Sequence, residues 1–262
     1  MLFVGYLVLG AFAGMLAGLF GIGGGLIIVP VLVLSFHAQG VAPEIITHLA
    51  LGTSLPTMIF TGFSSLRAHQ EAGAVDWVMI RRLGAGMLIG AWLGGMTANL
   101  LSASTLNIII GCFAWTMALQ MGLNLKPKAE RQMPGPVGTG IAGTVIGWLS
   151  ALFGIGGGSM TVPYLRWNSV PMRNAVAASA ACSMPIALAG SLSYLYAGWG
   201  HANLPEWSVG YIYLPALLGI VLTSTQFARV GARLAHKLSP KRLKQAFALL
   251  MLVVGAKFML FS

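Results

Sequence analysis

Apolar positions in this chain come in long unbroken runs, not in alternation and not as one-sided stripes. Stretches with almost no charge cover about 2–20, 24–36, 45–66, 77–100 and 105–124, and then 138–153, 157–167, 174–198, 207–232 and 243–261. A helix packed on the outside of a soluble core shows a polar face every 3.6 residues, and these segments mostly lack one. A membrane β-barrel would show short segments of alternating polarity, and the sequence has none. Runs of about 18 or more apolar residues read as membrane-spanning helices. The pattern predicts an all-α polytopic membrane protein.

The runs also repeat. Residues 19–30 read LFGIGGGLIIVP and residues 152–163 read LFGIGGGSMTVP, identical at nine of twelve positions. The register continues downstream with small gaps: Ser54-Leu55-Pro56 pairs with Ser183-Met184-Pro185, Asp76-Trp77 with Glu206-Trp207, and Leu101-Ser102 with Leu238-Ser239. The chain divides into a first transmembrane repeat at 1–124, a linker at 125–136 and a second repeat at 137–262. Each repeat is expected to hold a glycine-broken pair of short helices followed by three longer transmembrane helices.

Charge orients these segments. Only 8% of residues are charged against 57% hydrophobic, where soluble domains carry roughly 25% charged residues. The formal net charge of +10 would suggest nucleic acid in a soluble protein. Here the basic residues sit in a few connecting loops, as positive-inside topology requires, and no nucleic-acid partner is expected. Arg67, Arg81 and Arg82 mark one cytoplasmic loop, and Lys126, Lys128 and Arg131 the linker. Arg166 and Arg173 flank a third, and Arg233, Lys237, Lys241, Arg242 and Lys244 make a fourth. The loops at 37–44, 101–105 and 198–206 contain no Lys or Arg and are placed outside, as are both termini. Matching loops of the two halves then fall on opposite sides, so the repeats are expected to be inverted, an architecture that recurs in secondary transporters with a midplane site. Met1 to Phe20 reads as mature structure, since no charged n-region precedes it. Cys112 and Cys182 lack metal or CxxC spacing and read as free thiols.

The glycine clusters carry the candidate chemistry. Gly21-Ile22-Gly23-Gly24-Gly25 and Gly154-Ile155-Gly156-Gly157-Gly158 break a helix, because glycine visits φ > 0 freely and costs about 1 kcal/mol against alanine inside one. Irregular backbone at membrane depth must be buried in protein or line a cavity. A helix restarting after the break presents unpaired N–H groups and its positive dipole end, a ready anion site. Gly23, Gly24, Gly25, Gly156, Gly157, Gly158 and Ser159 are therefore candidate substrate-lining residues; the alternative is packing or a hinge alone. Gly10, Gly14 and Gly18, like Gly86, Gly90 and Gly94, follow the four-residue spacing of close helix contacts. A dinucleotide loop is excluded, because the third glycine of GxGxxG would fall on Leu26 or Ser159. Thr53 and Ser54, with Cys182 and Ser183 in the matching place, stand just before Pro56 and Pro185. The hydroxyls of Thr53, Ser54 and Ser183 either donate to a bound oxyanion or relieve a proline kink, and Cys182 lines the same place. His48, one turn earlier, is a proton-coupling candidate or a histidine bonded to a backbone carbonyl. Arg67, His69 and Glu71 read as a solvated helix end, and Trp77, Trp199 and Trp207 as interfacial anchors. No catalytic motif, metal cluster or Walker A sequence is present, so neither an enzyme nor a cofactor is expected.

The block from Ala17 to Pro30 and its copy from Ala151 to Pro163 resemble the TauE/SafE family of membrane transporters. So do Thr53-Ser54-Leu55 and the Ala-His…Gly-x-Val-Asp-Trp run from Ala68 to Trp77. The resemblance covers essentially the whole chain. It implies export, or sometimes uptake, of sulfite, a sulfonate or a related organosulfur anion. The apolar runs place the chain as a multi-pass protein, expected in a bacterial inner membrane, with the bilayer as its other partner, and His48 makes a proton a possible coupling ion. An uncoupled anion channel is the competing expectation. The second half has Ala-Cys-Ser-Met where the first has Gly-Thr-Ser-Leu, so the two sides of any shared site differ chemically.

Overall fold

The computed structural model describes residues 2–20, 25–71, 73, 75–123, 131–235 and 240–260. Among them run ten helices: α1 (Leu2–Phe20), α2 (Gly25–Ala38), α3 (Pro43–Glu71), α4 (Trp77–Leu100), α5 (Ala103–Gly122), α6 (Pro136–Leu152), α7 (Gly158–Trp167), α8 (Met172–Ala197), α9 (Leu214–Ala235) and α10 (Pro240–Leu260). Helices α3, α4, α5 and α8 are long and apolar enough to cross a membrane, and shorter apolar segments lie in α1, α2, α6, α9 and α10. Outward-facing Leu88, Ile89, Leu93, Leu192, Leu249 and Val253 give the bundle the apolar exterior that a bilayer requires. The linker residues Lys126 and Lys128 and the loop residue Lys237 lie outside the described residues.

Two expectations need correction. The stretch 207–232 does not enter directly as a helix. It opens with a two-stranded antiparallel hairpin, β1 (Ser208–Val209) paired with β2 (Ile212–Tyr213), and the helix begins only at Leu214. Trp207 and Gly210 hold positive φ (67° and 55°), which a helix cannot contain. Second, α1 is not a short piece: its 19 residues nearly match the 20 of α5. Gly10 and Gly14 inside it pack against a neighbour and do not interrupt it.

Local signals set several ends. Asp76, from the Val-Asp-Trp run, caps α4 by accepting from the N–H groups of Val78 (3.0 Å) and Met79 (3.1 Å). Ser102 does the same for α5 through Thr105. At the exposed end of α3, Arg67 and Glu71 form the i,i+4 ion pair (3.1 Å) of a solvated terminus.

The helices interlace. Helix α1 packs along α9, and α6 along α4, so the first helix of each half lies on the fourth helix of the other. Helix α3 packs on α8 and α5 on α10, third on third and fifth on fifth. Glycine rows make the exchanged contacts possible. Gly10 and Gly14 face the backbone of Ile220 and Ser224, while Gly86, Gly90 and Gly94 face that of Gly140, Thr144 and Trp148. Backbone lies against backbone at these points, with the Thr223 hydroxyl also beside Gly10 and the Ala151 methyl beside Gly94, the close approach that the four-residue spacing predicts. Helix α3 is the most enclosed of the four spanning helices, and the candidate site is built around it.

Candidate functional site

The second glycine cluster is a sharp break between two helices. Helix α6 ends with Gly154 at φ 62°; its N–H bonds to the Ala151 carbonyl (3.1 Å), and the Ile155 N–H to that of Ser150 (2.8 Å). This pairing, closed by an apolar residue after a left-handed glycine, is a Schellman stop. Three residues later α7 starts at Gly158 with Gly157 as its N-cap, and no side chain caps it. Residues 154 to 157 are all buried. In the first turn Ser159 is buried, and Thr161 just beyond it is fully buried; neither hydroxyl has a hydrogen-bond partner. A Cβ on Gly157 would lie 2.9 Å from Thr161 Oγ1, so that hydroxyl stands beside the break.

The second cluster lies against the start of α2. Gly23 and Gly24 lie outside the described residues, but Gly25, which opens α2, is buried against the second break. A Cβ there would sit 2.5 Å from the Gly154 carbonyl oxygen and 2.9 Å from Ile155 Cα. Ser54 of α3 fastens the same point, its hydroxyl donating to the carbonyls of Leu51 (2.8 Å) and Gly154 (3.0 Å). Ser183 of α8 flanks it from the other side, with Oγ 3.3 Å from a Cβ placed on Gly156. Ser183 donates back along its own helix to Ser179 (3.0 Å).

Thr53 and His48 face a different neighbour, the hairpin. Thr53 lies ten residues into α3, about 15 Å along its axis, and its Oγ1 accepts from the Tyr213 N–H (3.0 Å). The Tyr211 N–H bonds to the Tyr194 carbonyl (3.2 Å), and Gly52 gives the Tyr211 carbonyl room to approach α3. The Tyr211 ring lies 5.3 Å from the His48 ring and 5.9 Å from the exposed His201 ring. The Tyr213 ring meets Tyr6 and Phe36 edge-on. His48 Nε2 donates to the Ala98 carbonyl (3.0 Å), which leaves Nδ1 as the accepting nitrogen, buried and without a partner. Thr53→Val keeps the shape but orphans a buried N–H, at a cost of about 1–3 kcal/mol. The variant is expected to melt earlier and to exchange the 208–213 amides faster, read by hydrogen exchange with mass spectrometry.

The candidates thus separate. Gly25, Ser54, Gly156, Gly157 and Ser183 gather at the break with Gly158 and Ser159 on α7, and Thr53 and His48 belong to the hairpin contact. Cys182 is fully buried; both cysteines are free. Sequence reasoning missed two contributors. Met58, buried at 2% exposure, touches Gly25 at the start of α2 and Gly156 in the second break; its place one turn beyond Ser54 was the available signal. The Tyr211–Tyr213 segment was hidden inside an apolar run.

Comparison with known proteins fixes the context. The family model described as sulfite exporter TauE/SafE matches residues 6–258. The chain belongs to this family. A probable membrane transporter protein of Haemophilus influenzae is 37% identical over 97% of both chains. One from Methanocaldococcus jannaschii is 27% identical, covering 95% of this chain and 92% of its own. The Bacillus subtilis protein YunE, also a probable membrane transporter protein, is 29% identical over 98% and 97%. No solved structure matches the chain. With its apolar helices, this TauE/SafE member is a membrane transporter.

Proposed function

We propose that the protein carries a small sulfur oxyanion or sulfonate across the membrane by alternating access around the point where the two glycine breaks meet. One observation carries this reading: an uncapped helix N-terminus, with buried unpartnered hydroxyls beside it, opens inside the protein against the start of α2. Free first-turn N–H groups and about half a positive charge at a helix N-terminus hold an anion without a basic side chain at membrane depth. The family description supports a sulfur-containing substrate. The loop charges support inverted halves, the linker inside and both termini outside, with the interlaced packing as the joint about which they rock. In that orientation the 208–213 hairpin seals the outer side of α3. His48, with its unpartnered Nδ1 behind Tyr211, is the proton-coupling residue.

The test is thermal stabilisation of the detergent-purified protein by sulfite, thiosulfate, sulfoacetate, taurine, sulfate and simple carboxylates, at two pH values. A ligand bound to the native state at a hundred times its Kd adds about 2.7 kcal/mol of apparent stability. A selective, pH-dependent shift with one sulfur anion is the expected result. No shift with any anion removes the anionic site. Proteoliposomes separate coupled transport from a passive channel: accumulation only under an imposed pH gradient excludes the channel.

A further inference from the structure

Met58 stands where the start of α2 meets the second glycine break. Its Cε occupies the space that a Cβ on Gly25 would need, and its Sδ lies 3.1 Å from a Cβ placed on Gly156. One side chain of α3 therefore touches the start of α2 and the break before α7 together. The Ser183 hydroxyl approaches the same Gly156 position at 3.3 Å, so a thioether and a hydroxyl flank one glycine. The repeat does not duplicate this arrangement. With Ser54 in register with Ser183, Met58 falls on Ala187 and Thr57 on Ile186. Ala187 is fully buried, so a methyl group in one half corresponds to a four-atom thioether in the other.

We infer that Met58 sets the size of the non-oxygen end of the transported anion, an inference that rests on the central site proposed above. The oxygens of a bound anion turn toward the N–H groups and hydroxyls at α7. Met58 has no donor to offer them; its methyl and sulfur face whatever part of the anion is not oxygen. Three rotatable bonds let the thioether swing aside for a small group and crowd a larger one. Truncation to alanine opens room along that direction only.

The experiment measures Kd from thermal stabilisation for sulfite and for methane-, ethane-, propane- and butanesulfonate, in wild type, Met58→Ala, Met58→Leu and Gly157→Leu. Wild-type affinity is expected to fall as the chain lengthens. In Met58→Ala the longer members should gain about fourfold per added methylene that now fits, the value of burying one such group, while sulfite weakens. Met58→Leu conserves the volume and should keep the wild-type length profile. A role confined to packing would lower the melting temperature without changing the ratio of affinities along the series. An unchanged ratio in Met58→Ala, with anion binding present in wild type and lost in Gly157→Leu, overturns the role of Met58 and leaves the central site standing. Wild type that binds none of the five anions overturns both. If Met58→Ala fails to fold, Met58→Val supplies the shortened side chain and is read the same way.

Discussion

Gly157→Leu is expected to abolish anion binding and transport while leaving a protein that can still be extracted and purified. A Cβ at this position lies 2.7 Å from Ile186 Cδ1 and 2.9 Å from Thr161 Oγ1. Both are side-chain ends that can turn aside, so the overpacking costs about 1–3 kcal/mol and does not unfold the bundle. The rest of the leucine crowds the first turn of α7, where the proposed anion binds. Two hydrogen bonds from that turn to a charged ligand are worth about 1.5–3 kcal/mol each, so their loss weakens binding by roughly a hundredfold or more. Uptake into proteoliposomes, normalised to the monodisperse protein on size exclusion, gives the measurement. Retained affinity would sink the glycine-loop site.

Gly90→Val should instead destroy the fold. The added Cβ would land on the Thr144 carbonyl oxygen, 2.7 Å from its carbon and 2.8 Å from Trp148 N. These are backbone atoms of α6 and cannot turn aside, so the whole helix must move away. Gly86 and Gly94 make the same close approach one turn either way, so separation at Gly90 opens three contacts together. A destabilisation beyond about 3 kcal/mol, at the upper end for overpacking, is expected. It should appear as loss of the monodisperse peak after extraction. Gly140→Ala is the control: a Cβ there meets nothing within 4 Å, and the variant should behave as wild type. Two glycines of similar burial thus fail in different ways, one through the site and the other through the scaffold.

Most of the helical framework could be read from the sequence because a bilayer demands long apolar runs, and little else in a protein calls for them. The break at Gly154 and the rows at Gly10 and Gly86 were legible for a related reason: glycine spacing reports where backbone must bend or approach. Residues 208–213 were not. Ser-Val-Gly-Tyr-Ile-Tyr is apolar enough to extend a helical run, and six residues are too few for periodicity to separate strand from helix. The hydroxyl pair shows a second limit. Thr53 and Ser54 are neighbours in sequence and alike in chemistry, yet successive helical residues point about 100° apart. One therefore meets the hairpin and the other the glycine break. Met58 carried only one signal, its place a turn beyond Ser54, because its importance arises where α2, α3 and the α6–α7 break come together, a meeting across the two halves that no single segment announces.

The exchanged packing of α1 on α9 also governs how the protein can be made. Thr223 Oγ1 donates to the carbonyl of Leu7, a contact between residues 216 positions apart. At about 5–20 residues per second, translation separates the two partners by roughly 10–40 s. Throughout that interval the glycine face of Gly10 and Gly14 lacks the partner on which it packs in the finished fold. Chains truncated before α9 should never bury that face and should be removed by membrane proteases. Two halves synthesised separately, split at the linker, should accordingly co-purify, because α1 packs on α9 and α6 on α4 across the split.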